Sequence, residues 1–431
     1  MNVVVSQSIN HVSILNNNKM NSYKDIYEQH VTDVSFLWIL RSIAVDQPHY
    51  NRQDIYELEQ RIDAHLNGLM VAVEDSWEIC LEALELEGPG EVFTSAVIAF
   101  KSHDTAKIQK VIEEGLKTQD TFKGLVSALG WLPEALAFPW IEKFLTSKDL
   151  NHKYIAIAAC SVRRINPGEH LNRILTREDC KEHKKLYARA LRLVGELKRQ
   201  DLNSFLEEAK NADIEEIKFW ANWSSILLGV RVASTNLEPY VFQSGPHQLE
   251  AINVVFRVLT VEQARNLISK LSEDKKQIRF VIQAVAVLGD PHAVNWLIST
   301  MNDTALARIS AQALCYITGI DLEQYQLVSE PPLEVTPHPS EETDDDDVSL
   351  DEDENLQWPD VNKISQVWNN MGTKFTIGHR YFMGQEITQN FLKDKILNAN
   401  QRQRRAAAME LAILDPAMPL ENTHSRVQVY S

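Results

Sequence analysis

The 431-residue sequence is poor in glycine: its 15 Gly residues are about half of the usual frequency. This scarcity argues against a fold built from tight turns and hairpins and against glycine-rich phosphate loops, so it favours helices. The chain also lacks any apolar run approaching the roughly 18 residues that a membrane span needs. We therefore expect no membrane partner. Its four cysteines have no CxxC spacing, so we expect reduced, buried thiols in a cytoplasmic protein.

The short motifs of several common enzyme classes are missing as well. The sequence contains no GxxxxGK[ST], GxGxxG, GxSxG or HExxH pattern. The usual anchors of P-loop, dinucleotide-binding, serine-hydrolase and zincin sites are therefore absent. We predict a protein that is not an enzyme, with no catalytic residues and no cofactor.

Two candidate metal sites fail on the identity or number of their ligands. An EF-hand loop beginning at Asp345 would have Leu350 where glycine is required and Leu356 where glutamate is required. Cys180 and His183 have the spacing of two zinc ligands, but no second pair of fitting spacing follows. We therefore predict no metal site, and we interpret Cys180 as a buried thiol and His183 as a surface imidazole.

The negative charge of the chain is concentrated in one segment. The formal net charge is −17, and thirteen acidic residues with no Lys or Arg lie between Glu330 and Asp360. The remainder is close to neutral. Because an acidic chain repels phosphate backbones, we expect no nucleic-acid partner. Four prolines within residues 331–339, together with the acidic run, predict a disordered linker over residues 323–360.

Pairs of amphipathic helices recur before this segment. The clearest pair runs from Gly289 to Gly319, with two apolar faces at helical spacing and a glycine at each end that can close a helix in the left-handed conformation. A weaker copy begins at Gly195. Neither helix of such a pair can bury its apolar face alone. We therefore predict that five to six pairs over residues 119–322 stack as a HEAT-like α-solenoid, a right-handed superhelix of helical pairs.

The predicted fold class is all-α, with five segments in order along the chain. They are a disordered leader over residues 1–20, an N-terminal helical cap over 21–118, the HEAT-like repeats over 119–322, the acidic Pro-rich linker over 323–360 and a small, mostly helical C-terminal module over 361–431. Met20 is an alternative start to Met1, since the leader is rich in Asn and Ser. Within the last segment, two glycines and an alternating pattern over residues 375–388 predict a small hairpin.

Basic and aromatic side chains in the last third of the chain are the candidates for contact with a partner. Three arginines stand at the start of an Ala-rich helix, where positive charge opposes the helix dipole, so a negative group is expected nearby. That group belongs either to a partner or to the acidic linker; a solvated helix end is the third interpretation. A tryptophan at the edge of the linker predicts a short docking element, for this chain or for a partner. The candidate partner-binding residues are Trp358, Arg380, Tyr381, Arg402, Arg404 and Arg405.

Segments from most of the chain carry a family resemblance. Examples are FLWILR (Phe36–Arg41), RIDAHLNGL (Arg61–Leu69), FWANWSSILLG (Phe219–Gly229), LGDPHAVNWLI (Leu288–Ile298), LQWPD (Leu356–Asp360), GHRYFMGQEIT (Gly378–Thr388) and QRQRRAAAMELAILDP (Gln401–Pro416). In these segments the sequence resembles an uncharacterised bacterial HEAT-repeat family that is often encoded near type VI secretion genes. The resemblance covers about residues 23–420. It implies a cytoplasmic, secretion-associated helical protein and supplies no catalytic residues.

Pattern and resemblance together predict a non-catalytic protein-binding scaffold or adaptor. Its expected partner is a type VI secretion effector, adaptor or spike protein. One alternative is an immunity-type protein that neutralises a toxin encoded nearby. Another is a HEAT-like enzyme such as a bilin lyase or a DNA glycosylase. The glycosylase needs a basic groove lined by aromatics, which the nearly neutral remainder of the chain disfavours.

Overall fold

The computed structural model describes residues 4–332 and 351–427, with side chains from Tyr23 onward. Over these residues nearly all regular structure is helical, which confirms the prediction of an all-α fold. The described chain divides into two compact units. The first unit comprises residues 4–46, 50–189 and 424–427, and the second comprises residues 47–49, 190–332 and 351–423.

Several helices of the first unit pack around one central helix. In chain order the helices are α1 (Val4–Ala44), α2 (Arg52–Leu69), α3 (Val73–Leu84), α4 (Pro89–Ser102), α5 (Thr105–Gly115), α6 (Gln119–Trp131), α7 (Glu134–Thr146), α8 (Leu150–Arg163), α9 (Glu169–Thr176) and α10 (Glu178–Glu182). The division between the units falls within α11 (Lys184–Glu196). The α4 helix is contacted by α1, α3, α5 and α6. Every residue from Val92 to Phe100 is therefore buried, as expected of a helix that is apolar on all sides.

The first helix is longer than expected. It begins at Val4, so residues 4–20 are helical where we predicted a disordered leader, and residues 1–3 lie outside the described residues. Val31, Val34 and Leu37 are buried in the core and anchor α1. Because a helix extends from an existing nucleus at little cost per residue, the Asn-rich stretch can continue it.

The second unit contains the part of the predicted helical pairs that follows residue 189, together with the C-terminal segment, whereas residues 119–189 of the predicted repeats belong to the first unit. Its helices and strands are α12 (Asn203–Ala209), α13 (Glu215–Leu227), α14 (Ser234–Phe242), α15 (Gln248–Val258), α16 (Val261–Leu271), α17 (Ile278–Leu288), α18 (Val294–Thr300), α19 (Ala307–Thr318), α20 (Val361–Met371), β1 (Tyr381–Phe382), β2 (Gln385–Glu386), α21 (Gln389–Asn398) and α22 (Gln401–Leu414). Contacts run mainly between helices that are close in sequence: α13 packs on α12 and α14, α15 on α14 and α17, and α19 on α17 and α18. The pair predicted between Gly289 and Gly319 is present as α18 and α19.

Both glycines close a helix as predicted. Gly289 follows α17 with φ +73°, and Gly319 follows α19 with φ +68°, which is the left-handed region. The Asp290 side chain accepts a hydrogen bond from the His292 backbone N–H and so caps the next turn.

The described ends of the predicted linker are folded. Leu327 is buried in the same cluster as Ile364 and Trp368. The Asp360 N–H donates to the Leu327 carbonyl at 2.7 Å, and the Ser329 N–H donates to the Trp358 carbonyl at 2.9 Å. The prediction of disorder is therefore wrong for residues 323–332 and 351–360, because these backbone bonds and the burial of Leu327 outweigh the ordering entropy. Residues 333–350, with the centre of the acidic run, lie outside the described residues.

The C-terminal segment packs on the helices that precede it in the second unit. The α20 helix contacts α18, β1 contacts α19, and α22 contacts α13 and α15. The predicted hairpin is present as β1 and β2, with Tyr381 opposite Glu386 and Phe382 opposite Gln385. Its two-residue turn has φ +48° at Met383 and +76° at Gly384. Positive φ at both turn residues is typical of the turn that matches strand twist.

Candidate binding cleft in the second unit

The hairpin is held against the carboxyl ends of two helices. We call residues 378–386 the docked segment. Its Tyr381 N–H donates to the Gly289 carbonyl at 2.8 Å, and its Met383 and Gly384 N–H groups donate to the Tyr316 and Ile317 carbonyls at 2.6 and 3.0 Å. The last turn of a helix leaves its carbonyls without partners within that helix. The docked segment therefore satisfies carbonyls at the end of α19 and just after α17.

The two helix-closing glycines also make this approach possible. A Cβ atom at Gly289 would lie 2.2 Å from the Tyr381 carbonyl oxygen, and one at Gly319 would lie 2.4 Å from the Met383 carbonyl oxygen. Both obstacles are backbone atoms, which cannot rotate away. Glycine is thus required at these positions by close contact as well as by φ.

Arg380, a candidate partner-binding residue, makes contacts within the chain. Its guanidinium donates to the carbonyls of Leu288 at 3.0 Å and Arg257 at 3.1 Å, and to the Glu410 carboxylate at 2.5 Å. Glu410 is 4% exposed and also pairs with Arg257 at 3.0 Å. Burial lowers the pKa of the Arg257 guanidinium, while the charge of Glu410 opposes that shift. Arg380 and Glu410 therefore join the docked segment to α22 and to the helices beneath it.

Tyr381 is likewise turned into the structure. Its side chain is 8% exposed, its ring meets Phe375 edge-on at 5.0 Å between centroids, and its hydroxyl accepts a hydrogen bond from the Thr376 N–H at 3.1 Å. In this structure, Tyr381 anchors the docked segment through burial and aromatic packing.

The three arginines of α22 have separate surroundings. Arg404 is buried and donates to the Ile396 carbonyl at the end of α21. Arg405 pairs with Glu250 at 2.7 Å. Arg402 donates to the Gln312 side chain at 3.3 Å. The negative group expected from the helix dipole is a carboxylate of α15 for Arg405, whereas the Ile396 carbonyl that accepts from Arg404 is neutral.

Two acidic residues near the end of the predicted linker pair with arginines outside α22. Asp353, which is 4% exposed, accepts two hydrogen bonds from Arg279 at 2.8 and 3.0 Å. These bonds raise the pKa of the Arg279 guanidinium, although burial lowers it. Asp351 pairs with Arg308, and the Arg308 guanidinium lies 4.5 Å from the centre of the Trp358 ring. Trp358 is therefore a docking element within this chain.

A cleft of about 440 Å³ opens next to this contact. It lies between α19, the stretch 355–357, α21 and the start of α22. The residues that line it include six side-chain amides: Gln312, Asn355, Gln357, Asn398, Asn400 and Gln403. Arg402 and Lys395 add positive charge, whereas Asp321 and Glu323 add negative charge. Of the predicted partner-binding residues, only Arg402 lines the cleft; Trp358 lies immediately beyond Gln357.

Several of these amides already make one bond within the chain. Asn355 donates to Gln47 at 3.1 Å, Asn398 donates to Asp394 at 2.8 Å, and Gln357 donates to Glu323. A primary amide has two N–H donors and two acceptor lone pairs. The bonds within the chain therefore hold these amides in place and leave each of them with further hydrogen-bonding capacity.

The cleft also contains a thiol. Burial raises the pKa of the Cys315 thiol to about 12, with the negative charge of Asp321 acting in the same direction. The thiol is therefore protonated near neutral pH and is a poor nucleophile. Cys180 is buried, and the His183 ring lies 3.2 Å from the Asn151 side-chain oxygen. Among residues 23–332 and 351–427, no three His, Cys, Asp or Glu side chains are grouped so as to hold a metal ion.

Sequence reasoning missed Arg279, Arg308 and the amides of the cleft. The helical pattern places the arginines at positions expected to face solvent. The amides come from separate segments without any regular spacing. No described helix is both long and apolar enough to cross a membrane. Comparisons with protein families, curated proteins and solved structures gave no match.

Proposed function

We propose that the protein is a non-catalytic scaffold that binds an extended peptide segment of a partner protein in the cleft. The observation that carries the proposal is the set of six amide side chains around a volume of about 440 Å³. A peptide group has one donor and one acceptor, and a side-chain amide offers the complementary pair. A set of amides can therefore pair with a main chain in the extended conformation, whose own N–H and carbonyl groups are unpaired.

The other lining groups favour a polar peptide of low net charge. Arg402 and Lys395 line the same volume as Asp321 and Glu323, and a third basic lining residue, Arg308, is paired with Asp351. Ile320, Leu356 and Met383 add apolar contacts for intervening side chains. In an extended chain successive side chains point in opposite directions, so alternate side chains of the peptide can contact polar and apolar lining groups.

The cleft belongs to what we propose is a HEAT-like solenoid. Packing between helices that are neighbours in sequence supports stacked pairs. The docked segment covers the carboxyl ends of α17 and α19. The resemblance to a family encoded near type VI secretion genes is the basis for proposing a cytoplasmic protein whose partner is a secretion effector, adaptor or spike protein.

The test is to measure binding of the full chain to arrays of overlapping peptides from candidate secretion proteins. Each peptide that binds is remade with N-methyl groups on alternate backbone nitrogens, which removes donors and keeps the side chains. We expect N-methylation to weaken binding about tenfold or more, because each lost main-chain hydrogen bond costs about 1 kcal/mol. Equal binding of methylated and unmethylated peptides would contradict main-chain recognition.

A matched pair of variants locates the site. Gln312→Ala with Asn398→Ala removes two cleft amides, whereas Gln29→Ala with Gln109→Ala removes two exposed helix amides of the first unit. Only the first pair is expected to weaken peptide binding. If both pairs bind the peptide as the unaltered chain does, the cleft is not the binding site.

A further inference from the structure

A second, smaller pocket lies in the first unit, where α7 ends and α8 and α9 begin. Its volume is about 190 Å³. Basic residues on its lining are Lys153, His170, Arg173 and Arg177, and Leu145 and Ile174 form apolar walls. Three of the four basic groups are Lys or Arg, so the pocket is positively charged at neutral pH.

Lys153 is the buried member of this set. Its side chain is 8% exposed, and its Nζ donates to the Leu145 carbonyl at 2.5 Å. An ammonium group has three N–H donors, so this bond uses one of them. Burial lowers the pKa of Lys153, and the positive charges of Arg177 and Arg173 lower it further, against the opposing effects of Cys180 and Asp179.

The acidic residues nearby neutralise only part of this charge. Arg177 forms two bonds to Asp179, at 2.9 and 2.5 Å, and His170 lies 3.1 Å from the Glu142 carboxylate. Within the part of the chain that the structure describes, neither Lys153 nor Arg173 has a carboxylate within ion-pairing distance. A buried ammonium without a counter-ion is costly, so the pocket favours an anion from outside the chain.

We propose that this pocket binds the phosphate group of a phosphorylated ligand or of inorganic phosphate, held by Lys153, Arg173 and His170. A dianion with several acceptor oxygens matches a pocket with several separate donors better than a carboxylate does. The volume of about 190 Å³ also leaves room for a single phosphate group. The apolar walls at Leu145 and Ile174 reduce screening by water and strengthen the attraction.

Isothermal titration of the full chain with sodium phosphate at constant ionic strength tests the proposal. We expect saturable binding. Arg173→Gln should weaken it about tenfold or more, since a charge-assisted hydrogen bond contributes about 1.5–3 kcal/mol. Arg231→Gln, which neutralises an exposed arginine of the second unit, is the matched control and should bind phosphate unchanged. Because Arg173 is exposed and glutamine is also polar, we expect the Arg173→Gln variant to fold.

A phosphoserine peptide and its unphosphorylated form identify the source of the group. Tighter binding of the phosphopeptide than of phosphate assigns the pocket to a phosphorylated side chain, and equal binding assigns it to the free anion. No saturable binding of either ligand, or equal weakening by Arg173→Gln and Arg231→Gln, would overturn the proposal. The pocket and the amide cleft lie in different units, so the failure of one proposal leaves the other standing.

Discussion

Substituting Gly319 by alanine tests how the docked segment is held. The substitution places a Cβ atom at a residue with φ +68°, which costs about 1–2 kcal/mol for a residue other than glycine. The same atom would lie 2.4 Å from the Met383 carbonyl oxygen, so the turn must move away. Movement breaks the bonds from Met383 to Tyr316 and from Gly384 to Ile317, each contributing about 0.5–1.5 kcal/mol. The expected total is about 2–5 kcal/mol.

Gly378→Ala is the matched control for this substitution. Gly378 has φ +89°, in the same left-handed region, but an added Cβ would meet nothing within 4 Å. Only the conformational cost of about 1–2 kcal/mol is therefore expected. The difference between the two variants isolates the close approach of the docked segment to α19, at about 1–3 kcal/mol.

Hydrogen exchange followed by mass spectrometry is the suitable assay. A chain with two compact units need not unfold in one step, so a local readout is preferable to a single midpoint. In peptides that contain Met383 and Gly384, Gly319→Ala should reduce protection about 5- to 150-fold more than Gly378→Ala does. Equal protection in the two variants would refute the close approach.

Three further predictions concern other contacts. Burial and the nearby His65 lower the pKa of His30, whose Nδ1 lies 2.9 Å from that of His65. The stability that neutral His30 contributes is therefore present above about pH 6.5 and is lost as the pH falls. His30→Gln should reduce the loss of unfolding free energy that denaturant titration measures between pH 7 and 5. Arg380→Met removes one partner of Glu410, which keeps its pair with Arg257, and should destabilise the second unit by about 1.5–3 kcal/mol. Arg405→Met, at a partly exposed pair, should cost under about 1 kcal/mol in the same titration. Trp358→Ala removes the contact with Arg308 and should accelerate proteolysis within residues 351–360; unchanged cleavage would argue against docking of that stretch.

The pair between Gly289 and Gly319 could be predicted from the sequence because its signals are local. Apolar residues at helical spacing define the two faces, and glycine in the left-handed region ends each helix. The two-residue turn of the hairpin is local as well. Such features depend on residues a few positions apart, and the structure confirms them.

The role of Arg380 could not be predicted in this way. Its partners Leu288 and Arg257 lie about 90 and 120 positions earlier in the chain, and no spacing relates them to the docked segment. Asp351 and Asp353 pose the same problem, because an acidic run looks solvated until specific arginines are placed against it. The three arginines of α22 look alike in sequence, and their separate surroundings arise only from tertiary packing.

The amide cleft depends on such packing more than any other feature. Its six amides come from α19, from the stretch 355–357 and from the region of α21 and α22. Gln and Asn are ordinary surface residues, so composition gives no signal for a site. Only the docking of the C-terminal segment on α19 brings them around one volume.

A structure of the full chain bound to a peptide that passes the N-methylation test is the most direct measurement of the central claim. We expect an extended peptide in the cleft, with main-chain N–H and carbonyl groups within hydrogen-bond distance of Gln312 and Asn398. A peptide bound on another surface, or bound in the cleft through side chains alone, would contradict the account.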